Sequence, residues 1–157
     1  LSHDLLVDEI TFTLKGKADR IDIVGDTLRI IDYKTGKVDP SEVSFEDFDV
    51  LIENPKKSKG LQLLLYAFLY LRMHPDYLKK RVVAGNFSFK NIKEGLIKVT
   101  KKINARKKET LFIDYIVLKD IERIVKKLLS KIVNDDFIQT DNESACQWCE
   151  YKLLCKR

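Results

Sequence analysis

The chain has 157 residues, a hydrophobic fraction of 45 % and a formal net charge of +5. That length predicts a single domain, and that composition excludes a disordered chain. The nearest approach to a membrane span, Leu61 to Leu71, falls short of the roughly 18 apolar residues a bilayer requires, and Asp4, Asp8 and Glu9 interrupt any N-terminal signal-like segment.

Ile10 to Leu14 alternates apolar and polar residues, as a half-buried strand does. Lys17 to Val24 alternates more loosely and Leu28 to Tyr33 is a near-continuous apolar run. Gly25-Asp26 between them predicts a hairpin turn. Thr35 to Ser58, with Pro40 and Pro55, predicts an irregular connection with one helical turn around Glu42 to Leu51. Gly60 to Met73 is nearly all apolar and unbranched, which predicts a buried helix capped by Ser58 and stopped at His74-Pro75. Val82 to Phe89 predicts a strand, Lys93-Glu94-Gly95 a turn, and Leu96 to Thr100 a further strand. Asp114 to Val133 carries apolar residues at helical spacing with lysines opposite, the pattern of an amphipathic helix. The order predicts an α/β or α+β domain around one mixed sheet flanked by helices, with a core over about 8–134 and a cysteine-bearing tail over 142–157.

Charge is unevenly spread. Lys98, Lys101, Lys102, Arg106, Lys107 and Lys108 form a basic run with no acid among them, while Asp39 to Glu53 holds six acids and no base. A basic run of this kind binds phosphates or serves as a solvated loop.

Asp32 and Lys34, two residues apart on a strand, project to one face. Asp19 lies thirteen residues earlier, with Asp22 beyond it, on the strand expected to pair with that of Asp32. Two carboxylates meeting across a sheet repel unless a cation lies between them, and such oxygens suit Mg²⁺ or Mn²⁺. Lys34 beside them can orient a water or hold a phosphate oxygen, a combination that hydrolyses phosphodiesters; alone, Asp32 and Lys34 would be an ion pair. On the apolar helix, Gln62 and Tyr66 share one face, and a buried amide needs partners. The tail holds all three cysteines as C-x₂-C-x₅-C: Cys146, Cys149 and Cys155. A disulfide would leave one thiol over. A zinc site would need a fourth ligand such as His3 or His74.

GKADRID followed by IIDYKTG resembles the core of the PD-(D/E)XK nucleases, and most closely the RecB/AddB-type branch. The resemblance implies a restriction-endonuclease-like sheet and Mg²⁺-dependent DNA exonuclease activity in a helicase–nuclease that processes broken DNA ends. It also implies an AddA-like helicase partner and a cytoplasmic setting. It makes Asp19, Asp32 and the carbonyl of Tyr33 metal ligands, Lys34 the catalytic lysine, and Gln62 and Tyr66 a Q-x-x-x-Y pair beside the site. The basic run becomes the DNA path. Cys146, Cys149 and Cys155 become three ligands of a structural 4Fe–4S cluster. Neither the fourth cysteine nor the family's upstream His or Glu ligand occurs here, which points to a C-terminal piece of a longer protein with a tail loosely held from about Asn142. The iron–sulfur nucleases of CRISPR adaptation share these motifs, and a catalytically inactive DNA-binding scaffold is the alternative from another class.

Overall fold

The computed structural model describes residues 1–104, 106–136, 146 and 149–155. Asn142 and Trp148, on which the expectation of a loosely held tail rests, lie outside the described residues.

The chain opens with a hairpin that composition does not announce. Strands β1 (Ser2–Val7) and β2 (Ile10–Lys15) pair antiparallel. The turn between them is Asp8-Glu9, both left-handed at φ 48° and 65°. Two positive-φ residues match the right-handed twist of the flanking strands. The N-terminal ammonium donates to the Gly16 carbonyl at 2.9 Å and closes the open end.

Strands β3 (Arg20–Val24) and β4 (Thr27–Lys34) form the expected hairpin over Gly25-Asp26, with Gly25 at φ 60°. After an irregular stretch holding the short strand β5 (Ser44–Phe45) and the single-turn helix α1 (Val50–Glu53), helix α2 (Ser58–Met73) crosses back. It delivers strand β6 (Arg81–Ser88) parallel to β4, with Asp32 beside Asn86 and Lys34 beside Ser88. Strand β7 (Leu96–Lys98) completes a mixed four-stranded sheet in the order β3-β4-β6-β7.

One strand run divides between two sheets. Leu96 to Thr100, expected as one strand, breaks at the buried Val99: its N–H donates to Ala84 in the four-stranded sheet, and its carbonyl accepts from Leu111. Beyond it, β8 (Thr100–Lys102) lies between β5 and β9 (Lys108–Thr110) in a separate three-stranded sheet. Among the described residues the strands thus divide into three sheets, with β4 and β6 in the mixed four-stranded one. Helix α3 (Tyr115–Asn134), capped by Asp114 on the Val117 N–H, packs Leu118, Ile121, Ile124 and Val125 against the core.

Side-chain alternation explains the layering. Leu28, Ile30, Val82 and Ala84 join Leu63, Leu64, Ala67 and Phe68 of α2 in one core, so one face of the four-stranded sheet lies under α2. Asp32, Lys34 and Asn86 continue those same strands on that same face. Tyr33, Phe87 and Phe89 group in ring contacts on the other. Ser58 is the first residue of α2, not its cap: Lys57 holds the cap position without a side-chain bond, because a 3₁₀ turn over Pro55–Lys57 already leads into the helix.

Candidate active site

Antiparallel pairing of β3 and β4 ends with Arg20 opposite Ile31, one residue short of Asp19 and Asp32. Asp19 stands one residue before β3, and its Oδ2 accepts the backbone N–H of Tyr33 at 2.8 Å. In a strand the N–H and C=O of one residue point to the same neighbour, so the Tyr33 carbonyl also faces the Asp19 side. Asp32 is 5 % exposed, and its Oδ2 receives both the Lys34 ammonium and the Asn86 amide, each at 2.8 Å.

Lys34 Nζ also donates to Gln62 Oε1 at 2.8 Å, and Gln62 Nε2 donates to Tyr66 Oη at 2.8 Å. The half-buried Gln62 amide therefore has partners at both ends, and the sequence-predicted residues Asp32, Lys34, Gln62 and Tyr66 form one hydrogen-bonded run between strand and helix. Helix α2 is less uniformly buried than its composition predicts. Its Leu61, Gln62, Leu65 and Tyr66 face is half-buried and opens on a cleft of about 490 Å³ that Leu14, Lys15, Lys34 and Lys59 also line.

Gly16, the first residue of GKADRID, has a steric role. A Cβ there would meet the Tyr66 ring and Leu69 at 3.0 Å, so glycine lets α2 approach the end of β2. The loop leaving Lys34 is fixed as well. Phe89 N–H donates to the Lys34 carbonyl at 2.9 Å, Ser88 Oγ to the Gly36 carbonyl at 2.8 Å, and Asn91 Nδ2 to the Val38 carbonyl at 3.1 Å.

The second acid of the motif goes elsewhere. Asp22 pairs with Arg29 through a two-pronged contact at 2.7 and 2.8 Å and with Arg20 at 2.7 Å. The Arg29 hydrogen bond, against the opposing effect of desolvation, and then Arg20 hold its carboxyl below the ordinary range. Alternation places it with Arg29 and Tyr33, away from Asp32.

The basic run is only partly gathered. Lys102, Arg106, Lys107 and Lys108 surround a shallow depression of about 270 Å³ with Asn104. Lys98 and Lys101 lie outside it. Lys101 sits over the Phe48 ring, and Lys102 and Lys107 pair with Glu46 at 3.3 Å and Glu109 at 2.6 Å. The Ser41 hydrogen bonds lower the pKa of Asp39, in the loop after Lys34, and Lys37 and Lys108 stand close enough to lower it a little further.

Cys146 is buried, Cys149 exposed and Cys155 half-buried, and the Cys149 N–H donates to the Cys146 carbonyl at 3.2 Å. His3 packs edge-on to Phe68 and His74 lies between Tyr70 and Tyr77. Among the described residues, no three His, Cys, Asp or Glu side chains stand together as a ligand group, the three cysteines included, whether for the zinc site or for the cluster considered above. Among them too, no helix is long and apolar enough to cross a membrane.

The sequence reading passed over Asn86 and the cleft lysines Lys15 and Lys59. Asn86 had one signal, a polar side chain within the otherwise apolar VVAGNFS strand; the lysines had none.

No curated protein and no solved structure matches the chain. The family model for the PD-(D/E)XK nuclease superfamily matches residues 2–156. With the match running almost end to end over a mixed sheet flanked by helices, the chain belongs to the PD-(D/E)XK nuclease superfamily.

Proposed function

We propose that this chain is a cytoplasmic, Mg²⁺-dependent DNA exonuclease domain of AddB/RecB type, working with an AddA-like helicase subunit on broken ends in double-strand break repair and recombination. The observation that supports this reading is the run Tyr66–Gln62–Lys34–Asp32 at one end of the sheet, with the Asp19 carboxylate on the Tyr33 N–H beside it.

The donor set fits a hard cation. Mg²⁺ retains several waters and needs only one or two carboxylates. Asp19, Asp32 and the Tyr33 carbonyl would supply three oxygens. When bound, the ion activates a water and neutralises charge on the phosphoryl oxygens. Lys34 has three N–H donors. Asp32 and Gln62 take two, and the third remains to orient the water or hold a phosphate oxygen. Tyr66 fixes Gln62, and Gln62 restricts an otherwise mobile four-methylene arm. Lys98, Lys101, Lys102, Arg106, Lys107 and Lys108 carry the strand away from the site. In the same reading Cys146, Cys149 and Cys155, which do not stand together as a ligand group among the described residues, would hold a structural 4Fe–4S cluster with a fourth cysteine. The support for that is their spacing, and no catalytic step runs through the cluster.

The test compares the wild type with Asp32→Asn and Lys34→Met on linear DNA in Mg²⁺. Each variant should lose about 10²- to 10³-fold in cleavage rate while still binding DNA. Cleavage at the wild-type rate by either would sink the assignment. A wild-type chain that binds DNA but cleaves in neither Mg²⁺ nor Mn²⁺ would make it a scaffold.

A further inference from the structure

Asn86 is fully buried on β6, on the sheet face that meets α2, where its strand neighbours Val82 and Ala84 are core residues. Its Nδ2 donates twice to one residue, to the Asp32 carboxylate at 2.8 Å and to the Asp32 main-chain carbonyl at 3.3 Å. Those two acceptors settle the amide's orientation, since the reverse would set oxygen against oxygen. The cost is visible: Asn86 Oδ1 is buried and has no hydrogen-bond partner among the described residues. An apolar side chain would avoid that cost but could not donate to Asp32.

Both donors to the Asp32 carboxylate, Lys34 Nζ and Asn86 Nδ2, converge on Oδ2. Two bonds to one oxygen stop the carboxylate from rotating and leave Oδ1 as the presented atom. The two donors differ in kind. Lys34 is charged, long and half-exposed. Asn86 is short, neutral and held by a central strand of the sheet, so it fixes the carboxylate without adding positive charge beside a cation.

From this geometry we infer that Asn86 is a positioning residue for cation binding, acting through Asp32 to present Oδ1. The inference rests on Asp32 being a metal ligand. A group that orients a metal ligand from outside the coordination shell typically sets affinity by 10- to 100-fold.

The experiment measures Mn²⁺ binding without nucleic acid, by electron paramagnetic resonance and calorimetry, on the wild type, Asn86→Leu, Asn86→Ser and Asp32→Asn. Melts in chelator confirm that each is folded. Both Asn86 variants should bind Mn²⁺ about 10- to 100-fold more weakly. Cleavage should recover toward the wild-type rate as Mn²⁺ is raised. Asn86→Ser, the smaller change, carries the test if Asn86→Leu does not fold. Asn86 variants that bind Mn²⁺ as the wild type does, while Asp32→Asn loses it, would overturn the inference and leave the Asp32 assignment standing. Retention of binding by Asp32→Asn would overturn both.

Discussion

Single atoms decide much at this site. Gly16 is the clearest case, because its lack of a Cβ is used against Tyr66 and Leu69 at 3.0 Å. Gly16→Ala should displace the Tyr66 ring, break the Gln62–Tyr66 bond and let Lys34 wander. We expect about a tenfold or greater fall in kcat and a stability loss of about 1 to 3 kcal/mol. Steady-state kinetics beside thermal melts would check this, and a variant with full activity would show that Tyr66 does not restrain the lysine. Asp19, Asp32, Lys34, Gln62 and Tyr66 are legible in the sequence as candidates because they bear functional groups unusual for their surroundings. Asp22 was legible only as an acid. That it pairs with Arg29 depends on strand register, and register depends on where the hairpin turns.

Elements were legible where their pattern was local. Helix α3 shows its 3.6-residue period, and the β3–β4 turn carries a glycine. Of the first hairpin only β2 is legible; β1 is not, because the turn, Asp8-Glu9, lacks the Asn or Gly that marks such turns, and because His3 and Asp4 disguise a strand whose buried side is Leu5 and Val7. Contacts between elements are the least local of all. Asp49 precedes α1 yet makes no capping bond. Its carboxylate reaches Lys127 at 2.6 Å and Arg123 at 2.9 Å on α3. Lys127 foremost, then Arg123, lower its pKa from 3.8 to about 2. A carboxylate more acidic in the folded state stabilises the fold above its unfolded pKa, and that contribution fades as pH falls through the folded value. The wild type should therefore lose its stability advantage over Asp49→Asn between about pH 4 and pH 2. Melts of the two proteins across that window would show the difference closing. A gap constant with pH would mean that the ion pairs do not tie α1 to α3.

At the scale of the whole molecule, charge and topology act together. The basic run was legible as composition, but its arrangement was not, since Lys102 and Lys107 already answer Glu46 and Glu109. The residues to test are Lys98, Arg106 and Lys108. Converting all three to Gln should weaken DNA binding for every sequence alike and flatten the slope of log K against log salt by roughly 2 to 3 units. Fluorescence anisotropy over a salt series would measure it, and an unchanged slope would return the run to a solvated surface. The division into three sheets escaped the sequence for a similar reason: the break at Val99 follows from which backbone groups it meets, not from its own side chain.

The parallel pairing of β4 with β6 has a consequence for how the protein comes into being. Asp32 and Asn86 are neighbours in space but 54 residues apart in sequence, and the α2 crossover lies between them. A ribosome that has released the chain only as far as Lys34 has exposed Asp19, Asp32 and Lys34, yet the amide and the helix that orient them do not yet exist. Long-range parallel pairing of this kind forms late. The growing chain therefore carries the acids and the lysine harmlessly, and the complete arrangement arises only when the crossover docks. In urea, the site and the sheet should come apart in one step.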